Sequence, residues 1–261
     1  RYSRQEIPQK DFQRQFLPIL TARSGLGRGE KNSDNVPVPP QPEAGHLPGK
    51  FSVGTGVRRD RPYMELAWQA AYHDLLDPDA GYTKGAQIDF FALSGRYYTE
   101  EQSFKLQSFH PVDIISLAPR DLFFKPYSWK VNGGFDRKTF ADGSDRLFLR
   151  LNTGGGMAWN IPLIESGIGY VMAEADINLS DRFAQKAALG GGASVGVLAN
   201  LSDNWKAHLF ASSLFYAIED HQQFRLALDQ HFKLAANSGL VLHTLWERSF
   251  DHSRAEAGLS W

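Results

Sequence analysis

The stretch DHSRAEAGLSW, residues 251–261, decides the fold of this chain. Successive side chains of a β-strand point to opposite faces of the sheet. From residue 254 onward the two faces are Ala255, Ala257, Leu259 and Trp261 on one side and Arg254, Glu256, Gly258 and Ser260 on the other. An apolar face for lipid, a polar face for the lumen and a terminal aromatic residue are typical of the closing strand of an outer-membrane β-barrel. A soluble amphipathic strand has the same pattern, so the alternation has to recur upstream.

Segments rich in aromatic and β-branched residues follow one another from residue 50 to the C-terminus, separated by turn clusters. We predict strands over 50–58, 62–72, 85–97, 103–117, 123–138, 146–160, 166–179, 187–201, 204–219, 222–235, 238–250 and 253–261. Twelve is an even number, as bacterial outer-membrane barrels have. The last strand should then pair with the first and leave no free edge in lipid, with Trp261 at the periplasmic girdle.

The alternation recurs within individual segments. In three of them the apolar faces are Met64, Leu66, Trp68, Ala70 and Tyr72; Val171, Ala173, Ala175 and Ile177; and Phe224, Leu226, Leu228 and Phe232. Two places depart from the pattern. His243 and Leu245 share a face, which a bulge would explain, and Pro111 predicts a bulge or a bend in its strand.

A soluble β-sandwich also alternates and is the main rival. Three features favour the membrane. The segments are longer than the roughly 5–6 residues usual for soluble strands. Tyrosine and tryptophan often fall near segment ends, where the aromatic girdles of a barrel lie. Charges of both signs recur on the polar faces, as a charged and occluded lumen requires. We therefore predict an all-β, transmembrane antiparallel β-barrel of about twelve strands with an extended N-terminal segment.

The composition excludes some alternatives. The net charge is -1, whereas a nucleic-acid-binding protein is expected to carry a basic excess. The longest uncharged run, residues 187–202, is shorter than the about 20 apolar residues of a spanning helix. Cysteine is absent, which fits the periplasm or outer membrane and many cytosolic proteins as well. The first residue is Arg1 and no signal peptide precedes it, so we expect a processed product or a fragment.

Residues 1–48 differ from the rest and are predicted to form an N-terminal helix and linker segment ahead of a barrel over 49–261. Residues 11–17 predict a short helix with Phe12 and Phe16 on one face, limited by Pro18. Pro37, Pro39, Pro40 and Pro42 indicate a linker of polyproline character over residues 36–48. This segment is either a disordered tail, or a chain that enters or plugs the barrel or arrives from an upstream domain.

One cluster between the second and third predicted strands carries metal-binding chemistry. It consists of His73, Asp74, Asp77 and Asp79. Three carboxylates and an imidazole could hold a divalent cation, and Ca²⁺ favours oxygen ligands from acidic loops. The spacing matches no EF-hand loop, and Asp-Pro followed by Asp-Ala-Gly is also ordinary turn chemistry. No other cofactor is expected.

The polar strand faces predict a set of charged residues in the lumen: Glu65, Arg150, Glu174, Asp176, Arg225, Asp229, His231, Arg254 and Glu256. Charges inside a narrow barrel must pair, because an unpaired buried charge costs several kcal/mol. They either form a salt-bridged core that stiffens the barrel or line a polar conduit. Several serine and histidine residues could be nucleophile and base, namely His252, Ser253, His110, Ser116 and Ser128. None matches the His-x-Ser arrangement of outer-membrane phospholipase A, so no catalytic residue is assigned.

Several motifs resemble a large Gram-negative family. They are PEAGH (42–46), YHDLLD (72–77), GYTKGAQI (81–88), RYY (96–98), DIISLAP (113–119) and YSWKVNGG (127–134). The family's members carry an upstream periplasmic domain similar to the N-terminal domain of the Lnb lipoprotein N-acyltransferase. The resemblance covers about residues 14–261 and implies that this chain is the barrel half, joined through residues 20–24 to that domain. It implies no catalytic residue in the barrel, so any lipid or lipoprotein chemistry would belong to the upstream domain.

The expected role is an outer-membrane anchor or scaffold for a periplasmic domain or partner, with a lumen occluded by charged side chains. The alternatives are an outer-membrane enzyme acting on lipid or lipoprotein, and a narrow solute channel. The expected partners are outer-membrane lipids and lipopolysaccharide, the barrel assembly machinery during insertion, and a periplasmic domain or lipoprotein. Nucleic acid is not expected.

Overall fold

Thirteen β-strands and one helix account for most of the residues that the computed structural model describes, which are 8–26, 45–139, 144–164, 166–181, 183, 185–217, 221–249 and 252–261. The helix, α1, is Gln9–Gly25. The strands are β1 Lys50–Arg58, β2 Arg61–Gln69, β3 Ala71–His73, β4 Ala86–Tyr98, β5 Ser103–Ser116, β6 Ser128–Thr139, β7 Asp145–Ile161, β8 Gly167–Leu179, β9 Ala187–Ser202, β10 Trp205–Tyr216, β11 His221–Ala235, β12 Ser238–Ser249 and β13 His252–Ser260.

The sheet closes on itself. Every neighbouring pair is antiparallel, and β2 and β3 both pair with β4, so they are two parts of one interrupted strand in a barrel of twelve. The first strand pairs with the last, with Gly54 opposite Ser260 and Arg58 opposite Glu256. This confirms the predicted closure, which leaves no backbone hydrogen-bonding edge to face lipid.

The alternation of the sequence becomes an outer and an inner wall. Large apolar residues at the predicted lipid-facing positions are exposed, among them Leu66, Val171, Leu226 and Leu259. The intervening residues face the lumen and are mostly polar, as Glu174, Asp176 and Asn178 of β8 illustrate. An apolar outer surface that runs around a closed barrel is stable only in lipid. The β-sandwich alternative is therefore wrong.

Exposed aromatic residues form two belts, one at each end of the barrel. The end where β1 begins and β13 ends, here called the terminal end, carries Phe51, Trp129, Trp159, Trp205 and Trp261. The opposite end, here called the turn end, carries Tyr97, Phe104, Phe215, Phe224 and Trp246. Two such girdles are expected where the lipid headgroups meet the outer wall. No helix among the described residues has the length and apolar character needed to cross a membrane.

Some strand boundaries and faces differ from the prediction. The fifth strand begins at Ser128 instead of residue 123, because Leu122 and Phe123 lie in an exposed loop. The predicted bulge near Pro111 is confirmed by a register shift between β5 and β6. The bulge suggested at His243 is wrong, since β12 keeps its register there with both neighbours, and Leu245 is a buried residue of the inner wall.

Tyr72 was predicted on the lipid-facing side and is not there. The strand is interrupted at Ala70, and on the neighbouring strand Phe91 has a φ of 57°. Because these two departures restart the alternation out of phase, Tyr72 is half-buried, with its ring centroid 4.9 Å from that of His46.

Helix α1 is longer than predicted. Phe12 and Phe16 stack on one face as expected, with ring centroids 5.1 Å apart. Pro18 lies inside the helix and does not end it. Proline removes only its own backbone donor, and the helix continues for nearly two further turns, within which the Thr21 hydroxyl donates to the carbonyl of Leu17 at 2.9 Å. The predicted linker lies mainly outside the described residues.

Candidate functional site in the barrel lumen

Towards the turn end of β8, the inner wall is organised around Asp176. Its carboxylate is fully buried and accepts hydrogen bonds from four side chains. The donors are Arg150 at 2.7 Å, Asn152 at 3.1 Å, Asn178 at 2.7 Å and Tyr216 at 2.5 Å. These residues come from β7, β8 and β10, so one carboxylate joins strands that are not all neighbours. The arrangement satisfies a buried charge with a cation and three neutral donors.

A second ion pair lies one inward-facing position along β8. Glu174 pairs with Lys130 of β6 at 2.6 Å and also accepts a hydrogen bond from Asn152 at 3.1 Å. Lys130 in turn lies 5.6 Å from the ring centroid of Phe210. Asn152 therefore links the Glu174 pair to the Asp176 cluster.

Another cluster lies across the closing seam. Arg96 of β4 contacts Glu65 at 2.5 Å and Glu256 of the last strand at 2.6 Å. The Tyr63 hydroxyl donates to Glu256 at 3.1 Å, and its ring lies 4.0 Å from the Arg96 guanidinium. Arg58, fully buried, lies 3.9 Å from Glu256. Charged side chains thus cross-link β1, β2, β4 and β13 where the barrel closes.

The turn end is finished by a smaller surface network. Glu101, in the turn after β4, accepts hydrogen bonds from Lys105 at 2.5 Å and from Arg61 at 2.6 Å. The Lys105 hydrogen bond, followed by that from Arg61, lowers the pKa of Glu101. This pair of contacts ties the turn to the two neighbouring strands.

The predicted lumen set lies on the inner wall wherever the structure describes it. Glu65, Arg150, Glu174, Asp176 and Glu256 belong to the clusters above. Asp229 hydrogen-bonds His243, and the Arg225 guanidinium lies 5.9 Å from the Phe210 ring. The side chain of Arg254 is outside the described residues. Sequence reasoning missed Arg58, Arg96, Lys130, Lys206 and His243. Lys130 could have been predicted, because it shares one face of β6 with Asn132, Gly134 and Asp136.

The loop between β3 and β4, residues 74–85, folds into the terminal end of the barrel and reaches the opposite wall. Leu75 and Leu76 are 3% and 8% exposed and pack in one cluster with Ile168, Met172 and Leu198. These three belong to β8 and β9, which lie far around the ring from β3. Burial of the two leucines stabilises the inserted loop by about 1.5–3 kcal/mol each.

Polar contacts hold the same loop against the far wall. Lys206 of β10 donates to the carbonyl of Asp77 at 2.9 Å and pairs with Asp79 at 2.8 Å. A ring nitrogen of His231 of β11 hydrogen-bonds the carbonyl of Leu76 at 2.8 Å. Asn200 of β9 donates to Asp79 at 3.3 Å. The loop is therefore anchored to β9, β10 and β11, which are all distant from it in the sequence.

A central cavity of about 400 Å³ remains between this loop and the middle of the barrel. Its walls carry Leu76 of the loop together with Lys130, Arg150, Arg225 and Asp229 of the strands. Charges of both signs line it, and the loop covers it on the terminal side.

The loop ends on Gly85, where only glycine fits without strain. Its φ is 76°, and a Cβ there would lie 2.6 Å from the carbonyl oxygen of Leu117. We expect Gly85→Ala to lower the free energy of unfolding by about 1–3 kcal/mol, measured by urea titration of the folded barrel. Gly155→Ala is the matched control, because a Cβ there meets nothing within 4 Å. The two variants behaving alike would contradict this account.

The predicted metal cluster is divided by the fold. His73 and Asp77 approach His46, which precedes β1, so that one ligand atom of each lies within 4.8 Å of the others. Asp74 instead accepts a hydrogen bond from the backbone of Leu76 at 2.8 Å, and Asp79 pairs with Lys206. The turn chemistry is present as well, since the amide of Asp77 donates to the carbonyl of Asp74 at 3.0 Å. The sequence pattern missed His46 because it lies far from the cluster along the chain.

The candidate nucleophiles and bases are dispersed. His110 pairs with Asp136 at 3.1 Å, and the hydroxyl of Ser128 accepts a hydrogen bond from the amide of Ala118 at 3.1 Å. Ser116 is the last residue of β5. The side chains of His252 and Ser253 lie outside the described residues.

The model of one protein family, the Domain of unknown function DUF7840, matches residues 39–261. The chain belongs to this family. No curated protein sequence matches the DUF7840 barrel. The match runs through the barrel from β1 to β13 and includes His46, the β3–β4 loop and all the lumen clusters described above.

Two solved porins and one further solved outer-membrane protein are similar to the DUF7840 barrel. A KdgM porin in complex with disordered oligogalacturonate is 8% identical, with 81% of this chain and 97% of that chain covered and a TM-score of 0.43. A NanC porin is 7% identical, with 81% and 98% covered and a TM-score of 0.42. OmpTdeltaL8, a loop deletion mutant of an outer-membrane protein of Vibrio cholerae, is 8% identical, with 82% and 98% covered and a TM-score of 0.39.

The closed barrel, its apolar outer wall and its two aromatic belts together make the DUF7840 chain an outer-membrane β-barrel of a Gram-negative bacterium.

Proposed function

We propose that this outer-membrane barrel is an anchor that holds a periplasmic domain or partner at the membrane, with a lumen closed to solutes. The observation that carries the closed lumen is the β3–β4 loop, which crosses the terminal end and is fixed to the opposite wall by Lys206 and His231. A second feature supports it, since the Glu174 and Asp176 clusters place paired charges on the wall of the central cavity. A barrel that transports solutes would contain a continuous water-filled channel, as the large porins do.

Ion conductance in planar bilayers tests the closed lumen. We expect the wild-type barrel to show no sustained conductance, because the loop and the paired charges exclude a continuous column of water. Replacing residues 75–84 by Gly-Ser-Gly removes Leu75, Leu76 and Asp79 and is expected to produce channel openings. His73 and Ile88 are already paired across β3 and β4, so a shorter connection can join these strands.

A matched deletion controls for damage to the barrel. Residues 121–125 of the loop between β5 and β6 are exposed, with Leu122 91% exposed, and replacing them in the same way should leave the barrel silent. Steady conductance of the wild type would overturn the closed lumen. Silence of the variant shortened at residues 75–84 would overturn the role of that loop in closing it.

The anchor role has its own test. A periplasmic reporter fused ahead of α1 should fractionate with the outer membrane, and truncation before β13 should release it, because the barrel cannot close without its last strand. A reporter that is released to the same extent from both chains would contradict the proposal. Insertion of the barrel would involve the assembly machinery, outer-membrane lipids and lipopolysaccharide.

A narrow channel is the second candidate, and the central cavity is the observation that favours it. The cavity of about 400 Å³ could hold a small polar solute among Lys130, Arg150 and Arg225. A channel would require the β3–β4 loop to leave the terminal end. The wild-type conductance measurement separates the two functions.

A further inference from the structure

Two histidines and one aspartate converge where the chain enters the barrel. Nε2 of His46 lies 3.0 Å from Nδ1 of His73 and 3.7 Å from Oδ2 of Asp77. His46 precedes β1, His73 ends β3, and Asp77 belongs to the β3–β4 loop. His73 and Asp77 are 3% and 4% exposed. Three segments therefore bring three ligand atoms to one buried point.

These distances fit a tetrahedral metal ion. Zinc binds histidine nitrogen at about 2.0–2.1 Å and carboxylate oxygen at about 2.0–2.2 Å, so two ligands of one zinc ion lie roughly 3.3–3.4 Å apart. The observed separations of 3.0 Å and 3.7 Å bracket that value. All three ligand atoms lie within 4.8 Å of one another, so shifts of about one ångström or less would bring them to bonding distance.

The surroundings orient the ligands as metal sites do. Nδ1 of His46 hydrogen-bonds the carbonyl of Leu47 at 2.8 Å, which leaves the Nε2 lone pair free to face His73 and Asp77. Oδ2 of Asp77 accepts a hydrogen bond from the backbone amide of Asp74 at 2.8 Å. The Tyr82 ring stacks on His73 at 3.9 Å between centroids, and its hydroxyl donates to the carbonyl of His46 at 3.0 Å. The rotamers of the two imidazoles are thus held by contacts outside the ligand set.

The ligand types favour zinc over calcium. Imidazole nitrogen suits zinc and related transition metals, whereas calcium takes six to eight oxygen atoms. Two nitrogens and one carboxylate leave a fourth position for water, as in three-ligand zinc sites. The calcium expectation for the four-residue acidic cluster does not fit this geometry, because Asp74 and Asp79 are engaged elsewhere.

We propose that His46, His73 and Asp77 bind one zinc ion that clamps the segment before β1 to the β3–β4 loop. The ion would replace the hydrogen bond between the two imidazoles and neutralise the Asp77 carboxylate. It would fix the loop in the terminal end from its own side, opposite Lys206. The proposal is independent of the closed lumen, since a conducting barrel could carry the same site.

Zinc titration of the barrel, folded in detergent without a histidine tag, tests the proposal. We expect one zinc ion per chain by elemental analysis after gel filtration. Cobalt added in its place should give the visible absorption of a tetrahedral ion with nitrogen and oxygen ligands, since the chain has no cysteine. His46→Ala, outside the strands, is expected to weaken zinc binding roughly 10-fold or more, and Asp77→Asn likewise.

The controls separate this site from chance binding by histidine. His221→Ala removes a histidine at the start of β11, at the turn end, and should leave zinc affinity unchanged. The heat-dependent gel shift of each variant reports whether the barrel is folded. Wild-type barrel that retains no zinc, or His46→Ala that binds zinc as tightly as the wild type, would overturn the site whatever the conductance measurements show.

Discussion

Replacing Asp176 by alanine is expected to lower the free energy of unfolding of the barrel by about 3–5 kcal/mol. The carboxylate is fully buried and compensates the charge of Arg150. Its removal leaves that guanidinium without this counter-charge and the Asn178 amide without this acceptor, whereas Asn152 can still donate to Glu174 and Tyr216 to Gln223. Breaking a buried pair from one side is far more destabilising than its net contribution, because the remaining charge keeps its desolvation penalty.

Urea unfolding in detergent or lipid measures the Asp176 effect. Asp176→Asn retains the shape of the side chain and part of its hydrogen bonding. Its free energy of unfolding should therefore lie between those of the wild type and Asp176→Ala. Asp203→Ala, at an exposed position in the turn between β9 and β10, should change stability by no more than about 0.5 kcal/mol. An Asp176→Ala barrel as stable as the Asp203→Ala control would refute the account of the lumen as a paired charge network.

Replacing Leu228 by arginine is expected to lower the free energy of unfolding by about 2–4 kcal/mol in lipid. Leu228 is exposed on the outer wall in the middle of β11, where the bilayer is most apolar. An arginine there has to be desolvated or has to distort the bilayer. In a soluble protein, an exposed leucine changed to arginine would have almost no effect.

Leu234→Arg supplies a control with the same chemical change. Leu234 is 62% exposed and lies at the terminal end of the same strand. We therefore expect Leu234→Arg to lower the free energy of unfolding by only about 0–1 kcal/mol. The two variants are compared by urea unfolding in the same lipid. Equal decreases in the free energy of unfolding for Leu228→Arg and Leu234→Arg would show that Leu228 does not lie near the middle of a bilayer.

The strands and their faces could be predicted because both depend on local sequence. Alternation assigns each side chain to lipid or lumen with no knowledge of the neighbouring strand, and it did so correctly for β8, β11 and β13. It failed where the backbone departs from the regular pleat. The interruption at Ala70 puts Tyr72 on the other side from the prediction, and the strand predicted from Phe123 begins only at Ser128, after an exposed loop.

The candidate site was predictable only in part. The charged faces of single strands identified Asp176 and Glu256 as lumen residues, because each lies in a segment with clear alternation. They did not identify Arg58 and Arg96, which lie near strand ends where the pattern is short. Nor could they identify pairs, since a partner in the lumen is set by strand order and register.

The sequence by itself determined that this chain is a closed barrel and, where the pleat is regular, which side chains face lipid, since these properties follow from period-two alternation and an even number of strands. The tertiary structure alone decided what fills the barrel. Lys206 meets Asp79 only because closure brings distant parts of the chain around one lumen. His46 meets His73 because the segment before β1 runs beside β3, where the Tyr72 amide donates to the Pro48 carbonyl at 2.7 Å. Contacts across a barrel leave no periodic trace in the sequence, so the inserted loop and the cluster at its base became visible only in three dimensions.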